Sequence, residues 1–228
     1  MVHIVDIVVL GAGGNSLAIV DAIEAINAKT TASNELPRYR VFGFLDDLRE
    51  NRDRSVLGYP VLGTIADASK FPECRFINGI SSVESFRKIP EIIGRCGIAL
   101  DRFETIIHPS ATISAHATIG RGTCIMAGSV VCPEARLGNH VIVLQNTTMN
   151  HHARVSDHCT LSAGITVLGY VDIGNNAFIG GGSSIAPFVK VGAGALIGMG
   201  SNVIRDVSPG SVIAGNPAKP IPASRHAV

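Results

Sequence analysis

From Ile107 to Val203 an aliphatic residue or Met occupies every sixth position, seventeen times in succession. If roughly 30% of residues qualify, chance produces such a run with a frequency of about 10⁻⁹. A period of six matches neither the 3.6 of an amphipathic helix nor the 2 of an alternating strand. It is the period of a parallel β-helix, in which each short side gives one apolar residue to a continuous core. Two residues before the repeat position stand mostly small or β-branched side chains, Ala117, Thr123, Ala153 and Ser183 among them. In a strand these point the same way as the repeat residue and fill the interior beside it. Glycines such as Gly120, Gly138 and Gly174 follow the repeat residue, where corners need permissive backbone.

The residues before the repeat follow another grammar. Residues 3–10 (HIVDIVVL) form a nearly continuous apolar run, as in a parallel strand buried on both faces. Gly11-Ala12-Gly13-Gly14-Asn15-Ser16 comes next, then a helical pattern through Leu17, Ile19, Val20, Ile23 and Ile26. Strand, glycine turn and helix make the first half of a Rossmann-like unit. The backbone of Gly11, Gly13, Gly14 and Asn15 then offers amide donors to a phosphate. The dinucleotide fingerprint is incomplete, because its third glycine is Ser16 and the acidic pair Asp46-Asp47 lies more than thirty residues on.

Residues 28–38 read as an exposed loop and residues 39–45 as a second strand ending at Asp46-Asp47. Residues 75–80 read as a third strand, 83–96 as a helix, and 103–107 as a strand entering the repeat. The chain therefore divides into an α/β unit of three or four strands over 1–106 and a β-helix with a C-terminal tail over 107–228. The last residues, through Val228, read as frayed. Asp46 and Asp47 sit where ligands gather in parallel sheets, either to contact a base or ribose or to cap the strand end.

Composition narrows the function classes. With 19 basic and 18 acidic residues there is no basic patch and no case for nucleic acid. Five cysteines, odd in number and without a CxxC, read as reduced thiols in a cytoplasmic protein with no metal site. No stretch is long enough to span a membrane, and the apolar N-terminus lacks the basic flank of a signal peptide. His140 and His158, eighteen apart, are expected to stack as a solvated ladder on an outer face.

The repeat resembles the left-handed β-helix of hexapeptide acyltransferases, triangular in section with three hexapeptides per coil. Joined to the Rossmann-like unit, it is similar to the sialic acid O-acetyltransferase and nucleotide-sugar N-acetyltransferase family (NeuD/PglD-type). The resemblance rests on the GAGG turn, Phe44-Leu45-Asp46-Asp47, residues 58–63 (GYPVLG), His108-Pro109-Ser110-Ala111, the Asn150-His151 pair and Gly215-Asn216-Pro217-Ala218-Lys219. It implies a homotrimer with acetyl-CoA between adjacent β-helices and the nucleotide of an amino sugar, not NAD, in the first domain.

The resemblance also places a general base on His151, a role that imidazole chemistry suits near neutral pH. Where the family often has a second histidine near the acetyl group, this chain has Thr160. The Gly-Asn-Pro-Ala-Lys segment is placed at the CoA, with Asn216 and Lys219 as its contacts. The carboxylate that usually follows the base is His152 here. Residues eighteen apart stack in this fold, so Glu134 should lie beneath His152, and Glu134–His152 or Asp157 is expected to supply the missing polarising partner. Gly169, one coil above His151, serves either close approach of the pantetheine arm or a tight corner. The expected activity is acetyl-CoA-dependent N-acetylation of a nucleotide-linked amino sugar in bacterial surface-glycan biosynthesis. O-acetylation of sialic acid or a related sugar, a non-catalytic trimeric scaffold, and an NAD-dependent enzyme are the alternatives.

Overall fold

The computed structural model describes residues 4–33, 38–51 and 53–221; the tail expected to fray through Val228 lies, from residue 222 on, outside them. The first domain is built on strands β1 (Ile4–Leu10), β2 (Arg38–Leu45), β3 (Ser55–Val56), β4 (Tyr59–Gly63) and β5 (Arg75–Asn78). They form one sheet in the order β3-β4-β2-β1-β5. β1 pairs in parallel with both β2 and β5, which dries residues 7–10 completely and explains an apolar run without alternation. The sheet exceeds the expected strand count because of β3, two residues paired antiparallel to β4.

Helix α1 (Gly14–Ser33) corrects the loop expected from residue 28. No Gly or Pro interrupts residues 28–33, so nothing stops the helix. Asn27 also knits it to β2, donating to the Tyr39 carbonyl at 2.7 Å and accepting the Tyr39 N–H at 2.9 Å. The helix expected over 83–96 shrinks to a 3-10 turn at Phe86–Lys88 and α2 (Ile89–Gly94), which carries Pro90 in its first turn. Of the strand expected over 103–107, only Ile106–Ile107 is extended into the repeat, while Phe103 bridges Phe76.

The repeat forms a left-handed β-helix of three faces. The first face stacks six strands from Thr112–Ile113 to Asn202–Val203, and the second stacks five from Thr118–Ile119 to Lys190–Val191. The third begins at Ile106–Ile107 and ends in the hairpin Val212–Gly215 with Ala218–Pro220. Each strand pairs in parallel with the one eighteen residues on, as Thr148 with Thr166, until the last coil, where Leu196 pairs with Val212. The repeat residues close the core. Buried Thr123, Ser129, Thr147 and Ser183 beside them donate to corner carbonyls at 2.8–3.1 Å, which satisfies their hydroxyls inside an apolar prism.

The outward residues tell the faces apart. On the second face they are Arg136, Arg154, Asp172 and Lys190, charged and exposed. On the first they are Thr148, Thr166, Ser184 and Asn202, uncharged and half-buried. On the third, Cys124, Ile142, Thr160, Phe178 and Leu196 are buried, because the first domain sits on them. Ile142 and Cys124 share one cluster with Ile7, Ile19 and Phe44. Phe178 and Leu196 join Phe86 and Phe103 in another. Arg87 fastens the far end, donating to the carbonyls of Gly194 at 2.9 Å and Gly210 at 3.3 Å.

Candidate active site

The carboxyl ends of β1, β2 and β5 surround a cavity of about 690 Å³, and Gly11, Gly13, Gly14, Asn15, Asp46 and Asp47 all line it. Gly11 has φ +85°, and a Cβ there would stand 2.5 Å from the Ile80 side chain, so only glycine fits. Gly13 and Gly14 are exposed with open space above them, which leaves a floor that a phosphate can approach. Ser16, the departure from the fingerprint, is buried and donates to the Gly11 carbonyl at 2.8 Å. Gly79 makes its room, since a Cβ at 79 would collide with the Ser16 hydroxyl.

The two acidic residues are engaged differently. Asp46 is buried and both of its oxygens are engaged, accepting the N–H of Ala12 and of Leu48, each at 2.7 Å. Its carboxylate braces the glycine turn, as the strand-cap alternative expects. Asp47 accepts the Ile65 N–H at 3.0 Å and pairs with Arg95 at 2.7 Å on the cavity rim. The Asn15 amide donates to the Ser81 carbonyl at 2.9 Å and ties the turn to the segment after β5. Sequence reasoning missed Ser81, Ser82, Lys88 and Arg95, which line the same cavity. The signal was present in residues 79–82 (GISS), a second small-residue stretch at the end of a parallel strand.

The second constellation stands at the corner between the first and second faces. His151 and His152 are both exposed there, with their Nδ1 atoms 3.2 Å apart. The His152 ring stacks on Tyr170 at 4.6 Å and 18°, and Tyr170 stacks on Phe188 at 5.1 Å and 8°. Glu134, His152, Tyr170 and Phe188 are eighteen apart and share φ near +60°, so the corner projects them as one column. Glu134 lies in that column as expected from the register. It makes no hydrogen bond to His152 among the described residues, which corrects the expected Glu134–His152 contact. Asp157 sits at a different corner, accepting the Asn139 N–H at 2.7 Å, and is not the partner of His151.

Gly169 does not turn a left-handed corner, and the space above it is taken by His151. Its φ is ordinary, and a Cβ there would come 2.8 Å from Cε1 and 3.0 Å from Nε2 of His151. The imidazole occupies the place that a side chain would take. Thr160 lies on the third face, buried, with its hydroxyl bonded to that of Ser81. The structure therefore puts it at the seam beside the cavity and on a different face from His151 in the same chain. Asn216 and Lys219 are exposed on the closing hairpin, whose Gly215 N–H donates to Ser201 Oγ at 3.2 Å.

His140 and His158 stack as expected, 5.1 Å apart and 7° from parallel, but they do not form a solvated ladder, because His140 is buried and His158 half-buried. His140 is buried, with the Phe103 ring edge-on at 4.5 Å. Burial pushes its imidazole down to about 4, helped by His158 and opposed by Asp157. Burial likewise raises the Cys124 and Cys159 thiols to about 12, so neither is a nucleophile near neutral pH. Among the described residues no cluster of three His, Cys, Asp or Glu is placed to hold a metal, and no helix is long and apolar enough to cross a membrane.

A left-handed β-helix with an open histidine on its corner, carrying a Rossmann-like domain with a glycine-floored cavity, defines a hexapeptide-repeat acyltransferase. Family models agree at both ends: the PglD N-terminal domain matches residues 6–89, and the bacterial transferase hexapeptide matches 170–205. No curated protein matches the chain. The acetyltransferase domain of PglB from Neisseria gonorrhoeae, solved alone and with acetyl coenzyme A, is 30% identical. It superposes with a TM-score of 0.77 and covers 95% of this chain and 99% of that one. PerB from Caulobacter crescentus, in complex with CoA and GDP-perosamine, is 26% identical with a TM-score of 0.80, covering 95% and 97%. The chain belongs to the NeuD/PglD-type family of sugar acetyltransferases.

Proposed function

We propose that the protein transfers the acetyl group of acetyl-CoA to the amine of a nucleotide-linked amino sugar, with His151 as general base. The observation that carries the reading is the exposed His151 imidazole, held over Gly169 at a corner of an acetyltransferase β-helix. The amine nitrogen attacks the thioester carbonyl while His151 Nε2 takes a proton from it. Collapse of the tetrahedral intermediate breaks the C–S bond, and the proton passes to the departing thiolate to give CoA. No acyl-enzyme forms in this reading. The complexes of PglB with acetyl coenzyme A and of PerB with CoA and GDP-perosamine support the choice of donor and acceptor.

The first-domain cavity suits the nucleotide. Open glycines face the phosphates, and Lys88 supplies positive charge at the rim, where Arg95 is paired with Asp47. It adjoins the third face through Ser81 and Thr160, whereas His151 stands on the opposite corner. A homotrimer joins them by bringing the corner of one copy to the cavity of the next. The first face supports this assembly: its outward residues are uncharged, and exposed Tyr170, Phe188, Met199 and Ile204 border it. Acetyl-CoA then lies between adjacent β-helices, with Lys219 and Asn216 near it.

The deciding assay follows thiol release from acetyl-CoA with 3-amino and 4-amino nucleotide sugars and free sialic acid, for wild type and His151→Ala. Turnover with a nucleotide-linked amine that disappears in the variant is expected. Turnover with sialic acid alone would replace N- by O-acetylation, and undiminished His151→Ala activity would remove the base. Sedimentation at micromolar concentration reads the trimer directly.

A further inference from the structure

We propose that His152 is the positioning residue of this site, a neutral imidazole that accepts a hydrogen bond from His151 Nδ1 and so keeps Nε2 of His151 free to take a proton. The inference rests on the reading of His151 as base. The two Nδ1 atoms are 3.2 Å apart, within hydrogen-bond range, and a bond between them holds one proton. If His151 donates, its Nε2 carries a lone pair and is a base. If His152 donates, the proton of neutral His151 sits on Nε2 and the site is dead. The tautomer of the pair is therefore the on–off state of the base.

The surroundings select the first arrangement. His152 is fixed by stacking on Tyr170, which is fixed in turn by Phe188, so its Nδ1 is aimed at His151 and its Nε2 at the groove beside the column. The charged groups facing that groove are Glu134 from the coil below, Arg136 and Arg154 on the second face, and Asp172 and Lys190 above. A proton on His152 Nε2 faces the groove that Glu134 and Asp172 line, and leaves Nδ1 as an acceptor. A second proton, on Nδ1, would oppose the His151 donor and share the groove with three cations. When His151 takes the substrate proton, its Nδ1–H keeps the same acceptor, and nothing has to rearrange in the transition state. Glu134, in register but without a hydrogen bond to His152, biases the proton without touching the base.

The test uses the whole chain, four variants at position 152 and His151→Ala, with kcat, KM for acetyl-CoA and the pH profile of kcat/KM. His152→Ala is expected to lower kcat about ten- to hundredfold at unchanged KM, because His151 loses its tautomer. His152→Phe keeps the stack on Tyr170 but cannot accept a hydrogen bond, and should be equally slow. His152→Asn restores an acceptor oxygen and should recover part of the rate. His152→Glu gives a charged acceptor that favours the imidazolium, moving the acid limb about one pH unit upward. A fully active His152→Phe would overturn the proposal and leave the residue as a rung of the aromatic column. Those variants with normal rates beside a dead His151→Ala refute only this inference. An active His151→Ala refutes the base itself.

Discussion

Two histidine columns run along the same prism, and they have opposite chemistry. At the corner between the second and third faces, His140 is stacked on half-buried His158 and is itself buried under Phe103 of the first domain. At the corner between the first and second faces, His151 and His152 stand in water against an exposed aromatic column. The repeat treats both corners alike, with left-handed residues spaced by eighteen at each. The first domain, seated on the third face, makes the difference. It buries His140 and lowers its imidazole, and it leaves the other column open to a substrate. Each column even has its own glycine: a Cβ at Gly122 would lie 2.6 Å from His140 Nδ1, as one at Gly169 would crowd His151.

The sharpest way to break this comparison is to exchange the roles of the columns. His151→Ala should lower kcat/KM by at least about a hundredfold, the usual worth of a general base. His140→Leu should leave turnover per folded molecule unchanged. A dead His140→Leu that still folds would show that the His140 column takes part in catalysis.

Acid stability separates the columns next. His140 sits near 4 in the folded protein against 6.5 for the free group, so between those values the unfolded chain binds more protons. Its contribution is complete above about pH 6.5 and is lost as the pH falls toward 4, on the order of 3 kcal/mol over the window. The lowered imidazole of His158 acts in the same direction. Urea titrations at pH 7 and 4.5 should show a steep loss in wild type and a shallower one in His140→Leu. Equal slopes would mean that His140 takes up its proton in the folded protein as readily as in the unfolded chain.

These columns also mark the limit of what could be read from the chain. The six-residue period gave the prism, its core and the stacking register of Glu134, His152 and Tyr170, because each coil repeats one local geometry. The glycine turn and Asp46-Asp47 located the cavity for the same reason: a strand end is a local signal. Burial of His140 was not legible, since Phe103 lies far from it in sequence and no period announces which face a second domain will cover. The bracing role of Asp46 depends on the amide of Ala12, 34 residues away. The crowding of Gly169 by His151 was not legible either, because it depends on the rotamer of a ring one coil away.

The paired glycines give a finer comparison. Gly169→Ala places a methyl against an exposed ring that can swing aside, so stability should change by less than about 0.5 kcal/mol. The ring it displaces is the base, however, and an ångström of misplacement is enough to lower kcat about tenfold or more. Gly122→Ala meets a buried ring from a left-handed backbone, φ +67°, and should cost about 1–3 kcal/mol of stability with normal turnover. Differential scanning calorimetry beside steady-state rates reads both. If Gly169→Ala lost stability and kept its rate, the imidazole would not be held where the chemistry needs it.

Tyr170 gives the smallest effect, because it acts on the base only through its neighbour. Its ring lies between His152 and Phe188 and meets His151 edge-on at 5.4 Å. Stacked aromatic pairs are worth about 0.5–1.5 kcal/mol, so removing the ring frees His152 to rotate for part of the time and leaves the chemistry intact. Tyr170→Ala should therefore lose a few-fold in kcat, with an unmoved pH profile, while Tyr170→Phe keeps the stack and the rate. If Tyr170→Phe fell as far as Tyr170→Ala, the hydroxyl would be the working part. The open column would then be a hydrogen-bonding site and no longer a stacked support.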